Sequence, residues 1–184
     1  MFKMPIVLRC KCVVIGDTFT GKTSIVKSLT GPPNSFSKTY NMTFGVEISS
    51  KIFRIANSGD DLVELYIYDF SGKPLYKDVV NSLVASNVSL IVGVFDVTNE
   101  DSFSNLQRSL ADLMKQVKSV ESVVGVIIGN KCDLNERRCI SSHDGHQLSK
   151  RFKMRYFDCS AKEATGIDEA FQYLANTWYE MHQK

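Results

Sequence analysis

An α/β fold, built on a six-stranded mostly parallel sheet with one antiparallel hairpin strand and helices on both faces, is the class this 184-residue sequence predicts. Three observations carry it. β-rich runs and amphipathic stretches follow the order strand, helix, hairpin, then three strand and helix units. Two runs, 88–95 (VSLIVGVF) and 123–128, are continuously apolar, the pattern of strands covered on both faces. A loop bounded by glycines, Gly16-Asp17-Thr18-Phe19-Thr20-Gly21-Lys22-Thr23, lies between the first strand and the first helix.

The elements follow in order. Residues 8–15 (LRCKCVVI) read as a strand and 23–29 as a helix, which Gly31, Pro32 and Pro33 cannot continue. A loop then runs to about residue 42. Segments 44–55 and 62–68 are β-rich and are separated by Asn57-Ser58-Gly59-Asp60-Asp61, so they pair as an antiparallel hairpin. Residues 69–74 read as loop and 75–85 as a helix diluted by valine and asparagine. After the buried strand 88–95, Phe103, Leu106, Leu110, Leu113, Met114 and Val117 recur at helical spacing over 101–118, with Asn99 or Asp101 as cap. Strand 123–128, a helix capped by Ser141 or Ser142 and reaching Arg151, strand 154–158 and helix 167–182 complete the chain.

Composition narrows the class. With 43% hydrophobic residues and no repeat or linker, residues 1–184 read as one domain. A net charge of +2 gives no electrostatic reason for a nucleic-acid partner. Cys10, Cys12, Cys132, Cys139 and Cys159 match neither a metal spacing nor an even disulfide set, and fit a reducing, cytoplasmic setting. Phe2 stands where myristoylation needs glycine and the C-terminal residues carry no prenylatable cysteine, so no direct lipid anchor is expected.

The loop 16–23 reads G-x-x-x-x-G-K-T, a phosphate cradle. Its backbone N–H groups and the dipole of the following helix favour a polyphosphate. Lys22 brings a positive charge to the outer phosphates, the Thr23 hydroxyl can ligate Mg²⁺, and Ser24 joins the nucleotide-binding set. Ligands of such sheets sit at the carboxyl ends of the strands. There the sequence offers Asp69-Phe70-Ser71-Gly72, whose carboxylate can hold Mg²⁺ through water and whose glycine N–H can approach a γ-phosphate. It also offers Asn130-Lys131-Cys132-Asp133, where the aspartate can accept the two neighbouring N–H groups that guanine has and adenine lacks. Ser160-Ala161-Lys162 follows the last strand, with the Ala161 N–H available to the guanine carbonyl oxygen. GTP or GDP with Mg²⁺ is the ligand these motifs describe together.

With 36–47 (FSKTYNMTFGVE) and 94–99 (VFDVTN) added, the chain from residue 8 to about 179 resembles the Ras-superfamily small GTPases of Rab type, which have the P-loop NTPase fold. The resemblance implies that Phe36 packs on the guanine ring and that Thr43 reaches Mg²⁺ and the γ-phosphate in the GTP state. A closer resemblance is carried by LRCKC at 8–12, VELYIYDFSGKPLY at 63–76 and DVTNEDSF at 96–103. It is to the Rab-like GTPases of intraflagellar transport complex B. That likeness implies a cilium or flagellum and its base, a small β-sandwich partner subunit, and an exchange factor and activating protein.

The sequence also departs from efficient relatives. Lys73 stands where hydrolysing members carry the glutamine that orients the attacking water, and a lysine has donors only. Phe70-Ser71 replaces the usual threonine and alanine, and Thr18 and Phe19 crowd the approach of an arginine finger. Slow intrinsic hydrolysis is the expectation, with no strong catalytic residue and Lys73 at the water-positioning place. Two alternatives stand beside the switch: a structural adaptor that keeps nucleotide without switching, and a vesicle-trafficking Rab. Elsewhere, His143 and His146 read as surface, Cys10 and Cys12 as small apolar side chains of one strand face, Trp178 as core and Arg137-Arg138 as solvated.

Overall fold

The computed structural model describes residues 5–32, 42–56, 58–76, 78–79, 82, 88–117 and 123–183. Its elements are β1 (Val7–Ile15), α1 (Lys22–Thr30), β2 (Val46–Arg54), β3 (Leu62–Phe70), β4 (Leu90–Asp96), α2 (Glu100–Met114), β5 (Val124–Asn130), α3 (Ser142–Arg151), β6 (Arg155–Asp158) and α4 (Ile167–His182). Among the described residues six strands lie in the order β2-β3-β1-β4-β5-β6, and of their pairings only β2 with β3 is antiparallel. The expected architecture is therefore the one observed.

Strand alternation divides the core into two layers. Cys10, Cys12 and Val14 of β1 and Leu65 and Ile67 of β3 face Ile25 and Leu29 of α1 and Phe171, Leu174 and Trp178 of α4. Val13, Ile15, Phe70, Ile91, Phe95 and Ile127 face the opposite way, onto Leu106, Leu110 and Leu113 of α2 and Leu148 of α3. Strands β4 and β5 are buried at every residue, as their unbroken apolar runs predict. Each of Ile25, Leu65, Phe95, Leu110 and Phe171 is almost fully buried, and burying a side chain of this size stabilises by about 1.5–3 kcal/mol.

Caps set the helix starts. The Asn99 side chain accepts from Ser102 N at 2.9 Å, and Ser141 with Asp144 forms a reciprocal capping box at the start of α3. Near the C-terminus, Asp61 is fully buried and accepts from Ile6 N at 2.9 Å and from the Tyr179 hydroxyl, tying the hairpin to β1 and α4.

Several boundaries differ from the sequence reading. Asp69 and Phe70 belong to β3 rather than to a loop, because Asp69 is in register with Val14 on one side and Glu47 on the other. Likewise β5 runs on to Asn130, opposite Asp96. Helix α2 stops at Met114, short of the expected 118. Residues Pro74–Tyr76 form one 3₁₀ turn, and most of the expected helix over 75–85 lies outside the described residues. Arg138 is not simply solvated: it pairs with Asp158 at 2.8 Å. The readings of Cys10, Cys12 and Trp178 as core hold, and His143 and His146 are exposed.

Candidate functional site

The parallel strands end on one side of the sheet, and the predicted loops leave from there. The loop after Ile15 wraps the start of α1, with the Gly21 backbone at φ 90°. A Cβ at Gly21 would collide with the Asn130 amide, so glycine is required there by both conformation and space. Lys22 is buried, and its ammonium donates to the carbonyls of Gly16 (2.9 Å) and Asp17 (2.7 Å). Burial lowers its pKa to about 8, against the opposing pull of Asp69 and Asp17. Thr20 donates its hydroxyl to Asp17 O at 2.9 Å. Phe19 sits at φ 64° with its side chain largely exposed, a left-handed conformation uncommon for an aromatic residue. Thr18 and Ser24 are half-buried in the same loop and first helical turn.

Beside the loop, three side chains brought from α1, the 42–45 segment and β3 converge. Thr23 Oγ1 lies 2.8 Å from Thr43 Oγ1 and donates to Asp69 Oδ2 at 2.5 Å. Asp69 is buried, its other oxygen Oδ1 has no hydrogen-bond partner among the described residues, and burial raises its pKa despite the Thr23 bond. Two hydroxyls and one carboxylate with an orphaned, buried oxygen suit a hard cation such as Mg²⁺.

The far end of the site is held by Asn130. Its Nδ2 donates to Thr20 O at 2.8 Å and its Oδ1 accepts from Ala161 N at 3.1 Å. One buried amide thus joins the phosphate loop to the S-A-K loop. The Ala161 N–H, expected to be free for a base carbonyl, is already engaged by Asn130. Asp133 accepts from Ser160 Oγ at 2.6 Å and lies 3.6 Å from Lys162 Nζ. Lys131 pairs with Asp96 at 2.6 Å instead of standing alone. Gly72 presses its backbone on the loop so closely that a Cβ would collide with Thr18 N and Asp17. Lys73 is exposed. Phe36 lies outside the described residues.

Two supporting contacts had no signal in the motifs. Asn105 on α2 donates to Asp17 Oδ2 at 2.5 Å, and Arg108 donates back to Asn105. Asp158, at the end of β6, accepts from Tyr156, Arg138 and Ser142 at 2.6, 2.8 and 2.5 Å. Burial pushes its carboxyl pKa up, but these three hydrogen bonds outweigh it and hold the pKa below the usual range. The second contact braces the strand end from which Cys159 and Ser160 leave.

A profile of the Ras family matches residues 11–180, nearly the whole chain. The chain belongs to the Ras family, small GTPases that as a class bind guanine nucleotides with Mg²⁺ and hydrolyse GTP. Among individual relatives, the Intraflagellar transport protein 27 homolog of Homo sapiens is 32% identical over 96% of this chain and 94% of its own length. Its Mus musculus counterpart is 30% identical over the same shares. Ras-related protein Rab11C of Lotus japonicus is 32% identical over 95% of this chain and 77% of its own length.

Proposed function

We propose that this chain is a single G domain over 1–184 that acts as a Mg²⁺-dependent GTP/GDP switch of the Rab-like type, slow in hydrolysis, within the intraflagellar transport machinery of a cilium or flagellum. The observation that carries the switch reading is the convergence of Thr23, Thr43 and Asp69 at the mouth of the phosphate loop. Lys22 and the loop N–H groups from Asp17 to Thr23 would bind the β and γ phosphates. Thr23, Thr43 and Asp69 would hold the metal, which when bound neutralises charge on those phosphates. Asp133 would select guanine through its two N–H groups, with Asn130, Lys131, Ser160, Ala161 and Lys162 shaping the base pocket and Phe36 stacking on the ring. Thr43 and Gly72 would contact the γ-phosphate, so that its loss frees the segments around 36–46 and 70–80 and changes partner affinity.

The transport assignment rests on the Intraflagellar transport protein 27 homologs, which align along almost the full chain. A small β-sandwich subunit of complex B is the partner inferred, with an exchange factor and an activating protein as regulators. Lys73 supports slow turnover, because its ammonium cannot accept a hydrogen bond from a water. The same residue favours a second reading, a nucleotide-bound adaptor whose partner affinity is independent of state.

Single-turnover hydrolysis of bound GTP separates these. The natural chain should turn over slowly and Lys73→Gln about ten- to hundredfold faster. Rapid turnover of the natural chain would overturn the role given to Lys73. Failure to retain guanine nucleotide at all would defeat the switch, and equal partner affinity in the GDP and GTP-analogue states would favour the adaptor.

A further inference from the structure

Three buried side-chain polar atoms lack a hydrogen-bond partner among the described residues, and two of them, Asp69 Oδ1 and Ser71 Oγ, lie two residues apart. Buried polar atoms are nearly always paired, so a pair of orphans in one short stretch points to a ligand that satisfies both. The Asp69 orphan is accounted for by the cation reading. Ser71 has no role in that reading.

Its position is fixed by strand geometry. The β2–β3 ladder pairs Val46 with Phe70, and Ser71 N donates to Gly45 O at 2.9 Å, so extended pairing continues one residue past β3. Side chains two apart on an extended chain share a face. Leu65 and Ile67 face the layer that contains α1, and Asp69 accepts a bond from Thr23 of that helix, while Phe70 faces the other layer. Ser71 therefore shares the Asp69 face, toward the helix that carries Thr23. It is only 7% exposed. The next residue, Gly72, is packed against Asp17 and Thr18 of the phosphate loop. A hydroxyl both donates and accepts, unlike the ammonium of Lys73, so it can bond either a phosphate oxygen or a water beside it.

We propose that Ser71 is a binding residue for the terminal phosphate of the nucleotide, its hydroxyl bonding the γ-phosphate or the water next to it and thereby favouring the triphosphate over the diphosphate state. The assignment rests on the switch reading above and adds a group that discriminates between its two states.

The test is Ser71→Ala with two readouts. One is the release rate, in Mg²⁺, of fluorescent GDP and of a non-hydrolysable GTP analogue. The other is the melting temperature of the nucleotide-free chain. Analogue release should be about tenfold faster in the variant, the scale of one hydrogen bond to a charged group, with GDP release unchanged. The nucleotide-free melting temperature should rise by about 2–4 °C, because the variant removes a buried hydroxyl that has no protein partner. Unchanged analogue release, equal acceleration for both nucleotides, or a lower nucleotide-free melting temperature would each overturn the assignment. A natural chain that retains neither nucleotide would sink the switch and this assignment together. Retention of both nucleotides with Ser71→Ala unaltered would sink this assignment alone.

Discussion

The two ends of the site are built on opposite principles. At the base end, the Asn130 amide uses its Nδ2 on Thr20 O and its Oδ1 on Ala161 N, Asp133 is bonded to Ser160, and Lys131 is paired with Asp96. Its polar groups bond one another. At the phosphate end, Asp69 keeps one buried oxygen unpaired, Ser71 keeps its hydroxyl unpaired, and a buried lysine has its pKa drawn down to about 8 by desolvation. Orphaned buried groups cost about 1–3 kcal/mol each, so the phosphate end lowers the stability of the protein by itself and gains most from a ligand. On the proposed nucleotide reading, the fold preorganises the base end, whereas the phosphate and metal end is left for the ligand to complete. The proposed switch would gain from that division, since Asp69 Oδ1 and Ser71 Oγ are the groups with unspent bonding capacity.

The contrast can be broken most severely at its junction. Asn130→Ala removes two buried hydrogen bonds and leaves Thr20 O and Ala161 N unpaired. We expect a loss of about 2–4 kcal/mol in urea unfolding of the nucleotide-free chain, together with weaker GDP binding. Loss of binding at unchanged stability would show that the base end is not held by this amide. Asp69→Asn should show the reverse pattern. Its nucleotide-free stability should shift by less than about 1 kcal/mol, since a carboxylate disfavoured by burial is replaced by a neutral amide. Its Mg²⁺-dependent slowing of GDP release should fall by at least about tenfold, measured by release with and without chelator. Equal sensitivity to chelator in both proteins would sharpen the comparison against Asp69 as a metal ligand.

A further expected effect lies away from both ends, in the β1 core. Burial pushes the Cys10 thiol up to about 12, above its ordinary value of 9.0. With the folded pKa raised, the stabilisation is complete below about pH 9 and is lost as pH rises toward 12. Between about pH 8.5 and about pH 10.5, Cys10→Ala should therefore lose less unfolding free energy than the natural chain, by roughly 1–2 kcal/mol. Parallel pH profiles in urea titrations would refute a buried, neutral thiol.

Most of the fold was legible because local patterns and global topology agree. The apolar runs of β4 and β5 have no polar face to misplace, and α4 repeats Ile167, Phe171, Leu174 and Trp178 along the stripe that is buried. Boundaries failed where tertiary pairing overrides turn chemistry. Asp69 reads as loop by type, yet strands on both sides hold it extended. Within the site, the strand-end motifs located the right loops, but their internal wiring was not visible. Nothing in Asn105 announces Asp17 across 88 residues of sequence, and nothing in Arg138 announces Asp158, because those partners meet only after the sheet has formed. Ser71 did carry a signal, a hydroxyl where the family resemblance leads one to expect the more usual alanine, but its significance depends on burial, which sequence does not supply.

The bond from Ser71 N to Gly45 O lies next to the Val46 and Phe70 pair at the end of the hairpin ladder. Fraying of a ladder starts at such a terminal rung, and the rung here is shared by the stretch that carries Thr43 and the stretch that carries Gly72. Loosening either stretch would strip the hydrogen bond that restrains the other, so the two should come undone together, like the two pulls of one zip fastener. Amide exchange at Ser71 would then report on both stretches at once.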